Sequence, residues 1–278
     1  LFKRDGWYYI SLPEGGVERG GQSILRSRHI AGPYERRVAV PDGGPHQGGT
    51  VELDSGESWF VGFKSAGHLG RVSCLQPVRW QDGWPVFGDN GRPVLGGKNP
   101  NVGQSGLPAH PQVGDEFDAP ALQPQWQWNH NPTPDACSLT ERPGWLRLHG
   151  QPAAELALAR NTLTQKLWGW SGRVETTLDA AGLSEGQRAG LAFMSGKVFA
   201  AVGVQREAGG LRVFCDGAAG PLLAGAGSTV WLRGEYRGAT ARLAYSLDGT
   251  TFTDAGVEIP LKFSQWKGAR LALFCAGV

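Results

Sequence analysis

Short runs of aromatic and β-branched residues, interrupted every few positions by Gly, Pro, Asp and Asn, dominate the first hundred residues. That spacing predicts an all-β fold of the sandwich, barrel or propeller kind. Trp7-Tyr8-Tyr9-Ile10-Ser11-Leu12 lies between the Asp5-Gly6 turn and Pro13-Glu14-Gly15-Gly16, which reads as one strand between two turns. Further strands are predicted over 22–27, 37–41, 50–53, 58–63 and 71–75, with Asp54-Ser55-Gly56-Glu57 as a hairpin turn in which Gly supplies the positive φ. From Gly88 to Gly114 the apolar positions thin out among Gly and Pro, marking a linker or surface-hugging connection. Asp115-Glu116-Phe117 then opens a second series, with Trp145–Leu148, 172–178, 188–193, 198–204, 211–215, 229–236, 241–245 and 270–274 as strands. That many short strands fit an antiparallel two-sheet sandwich. Along 242–247, Arg242, Ala244 and Ser246 alternate with Leu243, Tyr245 and Leu247, so one set is expected inward and the other outward.

Composition sharpens this picture. Forty-three Gly and 18 Pro make up over a fifth of the 278 residues, which argues against long helices. A balance of 27 Lys+Arg against 25 Asp+Glu gives +2, so no broad field for nucleic acid or an anionic membrane is expected. No apolar run is long enough for a membrane-spanning helix. Eleven Trp bring in carbohydrate as a candidate ligand, because indole faces stack on sugar rings as well as filling β-cores. Cys74, Cys137, Cys215 and Cys275 are scattered without metal-site spacing and read as small buried hydrophobes. They leave the compartment, cytoplasmic or secreted, open.

No dinucleotide, Walker, zincin or nucleophile-elbow motif is present. Gly44-Pro45-His46-Gln47-Gly48-Gly49 is the most unusual loop: it is either a turn with a surface imidazole or a place where backbone approaches a ligand closely. Arg71 follows Gly70 at a strand start, where a guanidinium would fork onto sugar hydroxyls or lie on the surface. Trp80 and Trp84 flank the Asp82-Gly83 turn, and Trp126 and Trp128 share one face of an extended run. Both pairs suit a sugar platform, and core packing is the favoured use. No two carboxylates are singled out by spacing as a hydrolytic pair.

Leu1-Phe2-Lys3-Arg4-Asp5-Gly6-Trp7-Tyr8-Tyr9, Glu14-Gly15-Gly16, Gly32-Pro33-Tyr34-Glu35, His46-Gln47-Gly48, Gly70-Arg71 and Leu75-Gln76-Pro77-Val78-Arg79-Trp80 resemble the later blades of glycoside hydrolase family 43. That family comprises β-xylosidases and α-L-arabinofuranosidases on a five-bladed β-propeller. Trp126-Gln127-Trp128-Asn129-His130-Asn131, Gly144-Trp145-Leu146-Arg147-Leu148, 159–165 and Tyr245-Ser246-Leu247-Asp248-Gly249 resemble the concanavalin A-like sandwich that follows the propeller. The resemblance implies about two propeller blades over 1–87, a Pro/Gly-rich linker over 88–114 and a concanavalin A-like antiparallel β-sandwich over 115–278. It places the family's catalytic base, its pKa-tuning Asp and its acid upstream of residue 1, so that no catalytic residue is expected in this chain and the chain alone is expected to be inactive. A further strand of the sandwich is expected after 278.

By the same resemblance, Arg71 and, near the Glu-Gly-Gly loop, Val17 would bind substrate. His46 would stand at a metal or water cluster on the propeller axis, through water more readily than directly. Ca2+, structural or axial, is the implied cofactor, with no organic cofactor. A xylooligosaccharide or arabinoxylan-derived oligosaccharide is the implied partner, and a homo-oligomer is admitted. Cys137 stands where relatives often have Trp. The intact protein would be an inverting two-carboxylate glycosidase of terminal xylose or arabinofuranose; the competing reading is a non-catalytic sugar-binding or propeller-bracing module.

Overall fold

The computed structural model describes residues 1–103, 112–196, 198–216, 218–223, 227–263 and 266–277. The chain is all-β and divides into two compact units, Leu1–Ala66 with Arg71–Ala109, and Gly67–Gly70 with His110–Val278.

In the first unit, β1 (Phe2–Arg4), β2 (Trp7–Glu14), β3 (Gly21–Ser27) and β4 (Glu35–Val40) form one antiparallel sheet in sequence order. A second is formed by β5 (His46–Glu52), β6 (Ser58–Ser65), β7 (Arg71–Gln81) and β8 (Trp84–Phe87). Two consecutive four-stranded meanders are the layout of propeller blades. The turns follow from local chemistry: Asp5-Gly6 and Asp82-Gly83 both have positive φ at each residue, the conformation whose twist matches a two-residue hairpin. Tyr9, Ile24, Phe60 and Phe87 are almost wholly buried in one cluster, and each contributes about 1.5–3 kcal/mol by leaving water. Trp84 belongs to this cluster and Trp80 packs edge-on against Tyr9, so that pair serves the core.

Two features were not legible in the pattern. Gly16–Arg19, at the end of the Pro13–Gly16 turn, forms a single helical turn, α1. β8 extends the second sheet beyond the Asp82-Gly83 turn. Of the two readings of the stretch that begins at Gly88, the surface-hugging one describes 88–101: the buried Gln76 side chain donates to Val94 O and accepts from Val94 N, and Glu57 accepts from Asn101 N at 2.8 Å.

The second unit holds an eight-stranded sheet facing a five-stranded one. The larger runs 218–222, 210–215, 198–207, 188–195, 270–277, 163–166 and 126–128, with 151–152 paired parallel to 270–277. The smaller runs 171–179, 229–237, 240–246 and 253–254, with 259–260 paired to 240–246. Val230, Leu232 and Gly234 point inward from the smaller sheet, and Gly234 leaves the space taken by the buried Phe193 ring. Asp115-Glu116-Phe117 is not a strand; Asp115 accepts hydrogen bonds from Phe117 N and Trp126 Nε1, and the Phe117 ring stacks on Trp126. The expected alternation holds for Arg242 and Leu243 but inverts at the hairpin, where Ser246 is buried and Leu247 exposed. The Ser246 hydroxyl accepts from Asp248 N and Gly249 N, and that turn, not the strand period, sets its direction.

Candidate functional site

His46 opens β5 at a bulge: the register with β6 slips between His46 and Gly49, and Gln47 takes φ 52°. Gly48 and Gly20 make this possible, since a Cβ at Gly48 would collide with the Val61 carbonyl and one at Gly20 would lie 2.7 Å from the imidazole Cδ2. The ring is 1 % exposed, which overturns the reading of a surface histidine. Its Nδ1 lies 2.9 Å from Gly44 O and its Nε2 2.9 Å from Gly16 O in α1. Its face is 4.9 Å from the ring of Phe63, its register partner.

Phe63 in turn carries the Arg71 guanidinium, 4.4 Å from the ring centroid. Arg71 begins β7 directly opposite Ser65, and the Ser65 hydroxyl donates to Val17 O at 3.2 Å. The structure therefore brings Val17, His46 and Arg71 into one neighbourhood, built from α1, the start of β5 and the β6–β7 ends. Phe63, Ser65 and the carbonyl of Gly16 connect them. Gly16 belongs to the Glu14-Gly15-Gly16 motif, but Phe63 and Ser65 did not stand out in the sequence; Phe63 read as one more strand aromatic, and only its register opposite His46 reveals it.

His46 does not fit a directly bound cation. Both ring nitrogens face backbone carbonyls, so a metal or bridging water would have to displace one of them, and among the described residues no group of three or more His, Cys, Asp or Glu could hold a metal ion. The ring acts as a pin between α1 and β5.

A general acid in glycoside hydrolysis needs a carboxyl pKa raised by its surroundings. Among the described residues every carboxylate with a displaced pKa is displaced downward. Glu14 is held low by Arg36 and Ser23, Glu57 by the Asn101 amide and the Trp59 indole, and Asp248 by the amides of Thr251 and Thr250. The second unit contains a cleft of about 880 Å3 that includes Asp115, Trp145, Glu175, Asp179, Trp231 and Cys275. Three of its four carboxylates are committed inside the fold, Asp115 to Trp126, Glu175 to Arg173 and Arg233, and Asp179 to Ser228, Ala181 N and Arg142, and the fourth is Glu116. With three of four carboxylates already paired the cleft does not present two free ones as an acid–base pair, and Arg71, packed on the buried Phe63, is the candidate for contact with a sugar.

Comparison with known proteins agrees with this layout. Residues 114–278 match the family model described as Beta xylosidase C-terminal Concanavalin A-like domain, and residues 1–85 match Glycosyl hydrolases family 43. The chain is 39 % identical, over 98 % of its length, to a protein of Xylanibacter ruminicola, and 32 % identical, over 99 %, to a beta-xylosidase of Formosa agariphila. It covers 53 % and 55 % of those proteins, so it spans about half the length of the curated relatives it matches. A bifunctional protein of Bacteroides eggerthii superposes over the whole chain with a TM-score of 0.85 at 32 % identity, the chain covering 38 % of it. A xylan beta-1,4-xylosidase of Bacillus halodurans superposes likewise over the whole chain with a TM-score of 0.81 at 25 % identity, the chain covering 61 % of it. Two propeller-type meanders followed by a concanavalin A-like sandwich, matched by both family models in that order, establish that this chain belongs to glycoside hydrolase family 43.

Proposed function

We propose that the whole protein is a glycosidase that releases terminal xylose or arabinofuranose from xylooligosaccharides or arabinoxylan-derived oligosaccharides. In this reading it works by inversion with two carboxylates supplied from outside these 278 residues, and the present chain provides one wall of the sugar pocket. The observation that carries the reading is the Arg71 guanidinium stacked on Phe63 at the start of β7, opposite the Ser65 whose hydroxyl donates to Val17 O. A planar, always-charged fork suits the vicinal hydroxyls of a pentose, and its field favours the ionised form of a catalytic base. The exposed Val38, Val51, Val61 and Val72 of the first unit support the presence of further blades, because apolar side chains of this kind are what a neighbouring blade covers.

The test is kinetic. In the whole protein, Arg71→Ala should lower kcat/KM on an aryl xyloside or aryl arabinofuranoside by on the order of a hundredfold, about 2.7 kcal/mol of transition-state stabilisation. The 278-residue chain by itself should turn over neither substrate. Near-normal turnover by Arg71→Ala would remove Arg71 from the pocket, and activity of the 278-residue chain that disappears on changing one of its own carboxylates would overturn the reading as a whole.

A further inference from the structure

Phe63 stands at the centre of the second sheet of the first unit, in β6, with β5 on one side and β7 on the other. Its register partner in β5 is His46 and its partner in β7 is Ser73, while Arg71 is paired with Ser65. Side chains two residues apart on a strand share a face, so Phe63, Ser65 and Arg71 lie on one face of the sheet. Phe63 is then the diagonal neighbour of Arg71 across the β6–β7 pair, a position that a long side chain reaches. The guanidinium carbon lies 4.4 Å from the Phe63 ring centroid. The ring has little freedom of its own. It is 8 % exposed, and 4.9 Å from it lies the imidazole of His46, itself buried and within hydrogen-bonding distance of the Gly44 and Gly16 carbonyls.

We propose that Phe63 is the positioning residue for Arg71, and that its ring holds the guanidinium through the negative charge of the π face, beyond what packing alone would do. The inference rests on the assignment of Arg71 to the pocket. Arginine carries a rotamer-rich side chain whose freedom is lost when it grips a ligand, so an unseated guanidinium would hold sugar hydroxyls more weakly. The Phe63 ring removes that freedom when the chain folds, before any sugar arrives. A guanidinium held by its face keeps its N–H edge for hydrogen bonds, so the ring and the sugar do not compete for the same protons. An aliphatic side chain at this position would fill the space without supplying the attraction.

The experiment changes the charge of the ring face and leaves its shape almost untouched. In the whole protein, Phe63 is replaced by mono-, di- and trifluorinated phenylalanine, each fluorine withdrawing electron density from the face, and kcat/KM is read on an aryl xyloside and an aryl arabinofuranoside. It should fall with each fluorine, to a loss on the order of tenfold at the third, the size expected of a desolvated cation–π contact. Phe63→Leu should lose at least as much, and the fluorinated rings keep the bulk of Phe63 and so test the proposal even where Phe63→Leu fails to fold. In an Arg71→Ala background the fluorinated series should be flat to within about twofold, since two changes acting through one group are not additive. Hydrogen exchange in peptides from residues 46–81 should be unchanged along the series. Equal kcat/KM across the fluorinated rings, a loss that persists undiminished in Arg71→Ala, or a loss of protection that tracks the loss of activity overturns the proposal. An Arg71→Ala enzyme with normal activity is a different failure, that of the pocket assignment itself, and it takes this proposal with it.

Discussion

Replacing His46 by Ala separates a structural pin from a ligand-facing imidazole, because the two roles differ in what they do to folding. The ring is 1 % exposed, is within hydrogen-bonding distance of two carbonyls and packs against Phe63. Losing the hydrogen bond costs about 1 kcal/mol. Emptying the space of a buried ring of this size adds about 2 kcal/mol, toward the low end of buried large-to-small changes because Phe63 and α1 settle partly into the gap. The sum, about 3 kcal/mol, is a large fraction of the roughly 5–15 kcal/mol that holds an ordinary domain together. With a urea m-value of about 2 kcal/mol/M, the midpoint should fall by about 1.5 M. The chain has two units, so the measurement should follow the first alone, by hydrogen exchange and mass spectrometry of peptides from residues 2–87 across a urea series. Peptides covering Gly16–Arg19 should lose protection first, since the Gly16 carbonyl loses its partner. A midpoint shift below about 0.3 M would refute the reasoning, for then the ring contributes less than a typical hydrogen bond.

Three further outcomes are expected. Phe60→Ala, which removes a fully buried ring stacked on Phe87 at a centroid distance of 4.5 Å, should destabilise the first unit by about 3–5 kcal/mol, measured in the same urea series. Asp179 is held below the usual carboxylate range by the Ser228 hydroxyl first, then the Ala181 amide and Arg142. Its folded pKa is the depressed one, so its stabilising contribution is present above the unfolded value of about 4 and is lost as pH falls through the folded value; Asp179→Asn should flatten the acid limb of the second unit's stability curve and leave the neutral limb parallel. Burial pushes the Cys275 thiol up to about 11, so iodoacetamide at pH 8 should leave Cys275 unmodified in the native protein while alkylating the half-buried Cys74, and all four cysteines should react in urea.

Much of the secondary structure was readable because it is local. A period of two and an Asp-Gly pair act within a few residues, and they correctly placed strands around Trp7–Leu12, Ser58–Phe63 and 188–193 and turns at Asp5-Gly6 and Asp82-Gly83. The motif resemblance carried further, to the family, and it named Arg71, Val17 and His46, which the fold places in one neighbourhood around Phe63 and Ser65. Sequence pattern did not reveal that His46 would be buried between two carbonyls, because its burial depends on α1 folding over a bulge and on glycines at 20 and 48 clearing the space. Nor did it show that Phe63 joins the imidazole to the guanidinium, since that follows from strand register, and a shift of one residue would turn the ring to the other face. Gly268 carries no signal in the local pattern, and Gly70 reads only as the glycine before Arg71 at a strand start. Only the tertiary structure sets them against each other, because close approach of two backbones is a property of the pair and leaves no mark on the local pattern of either.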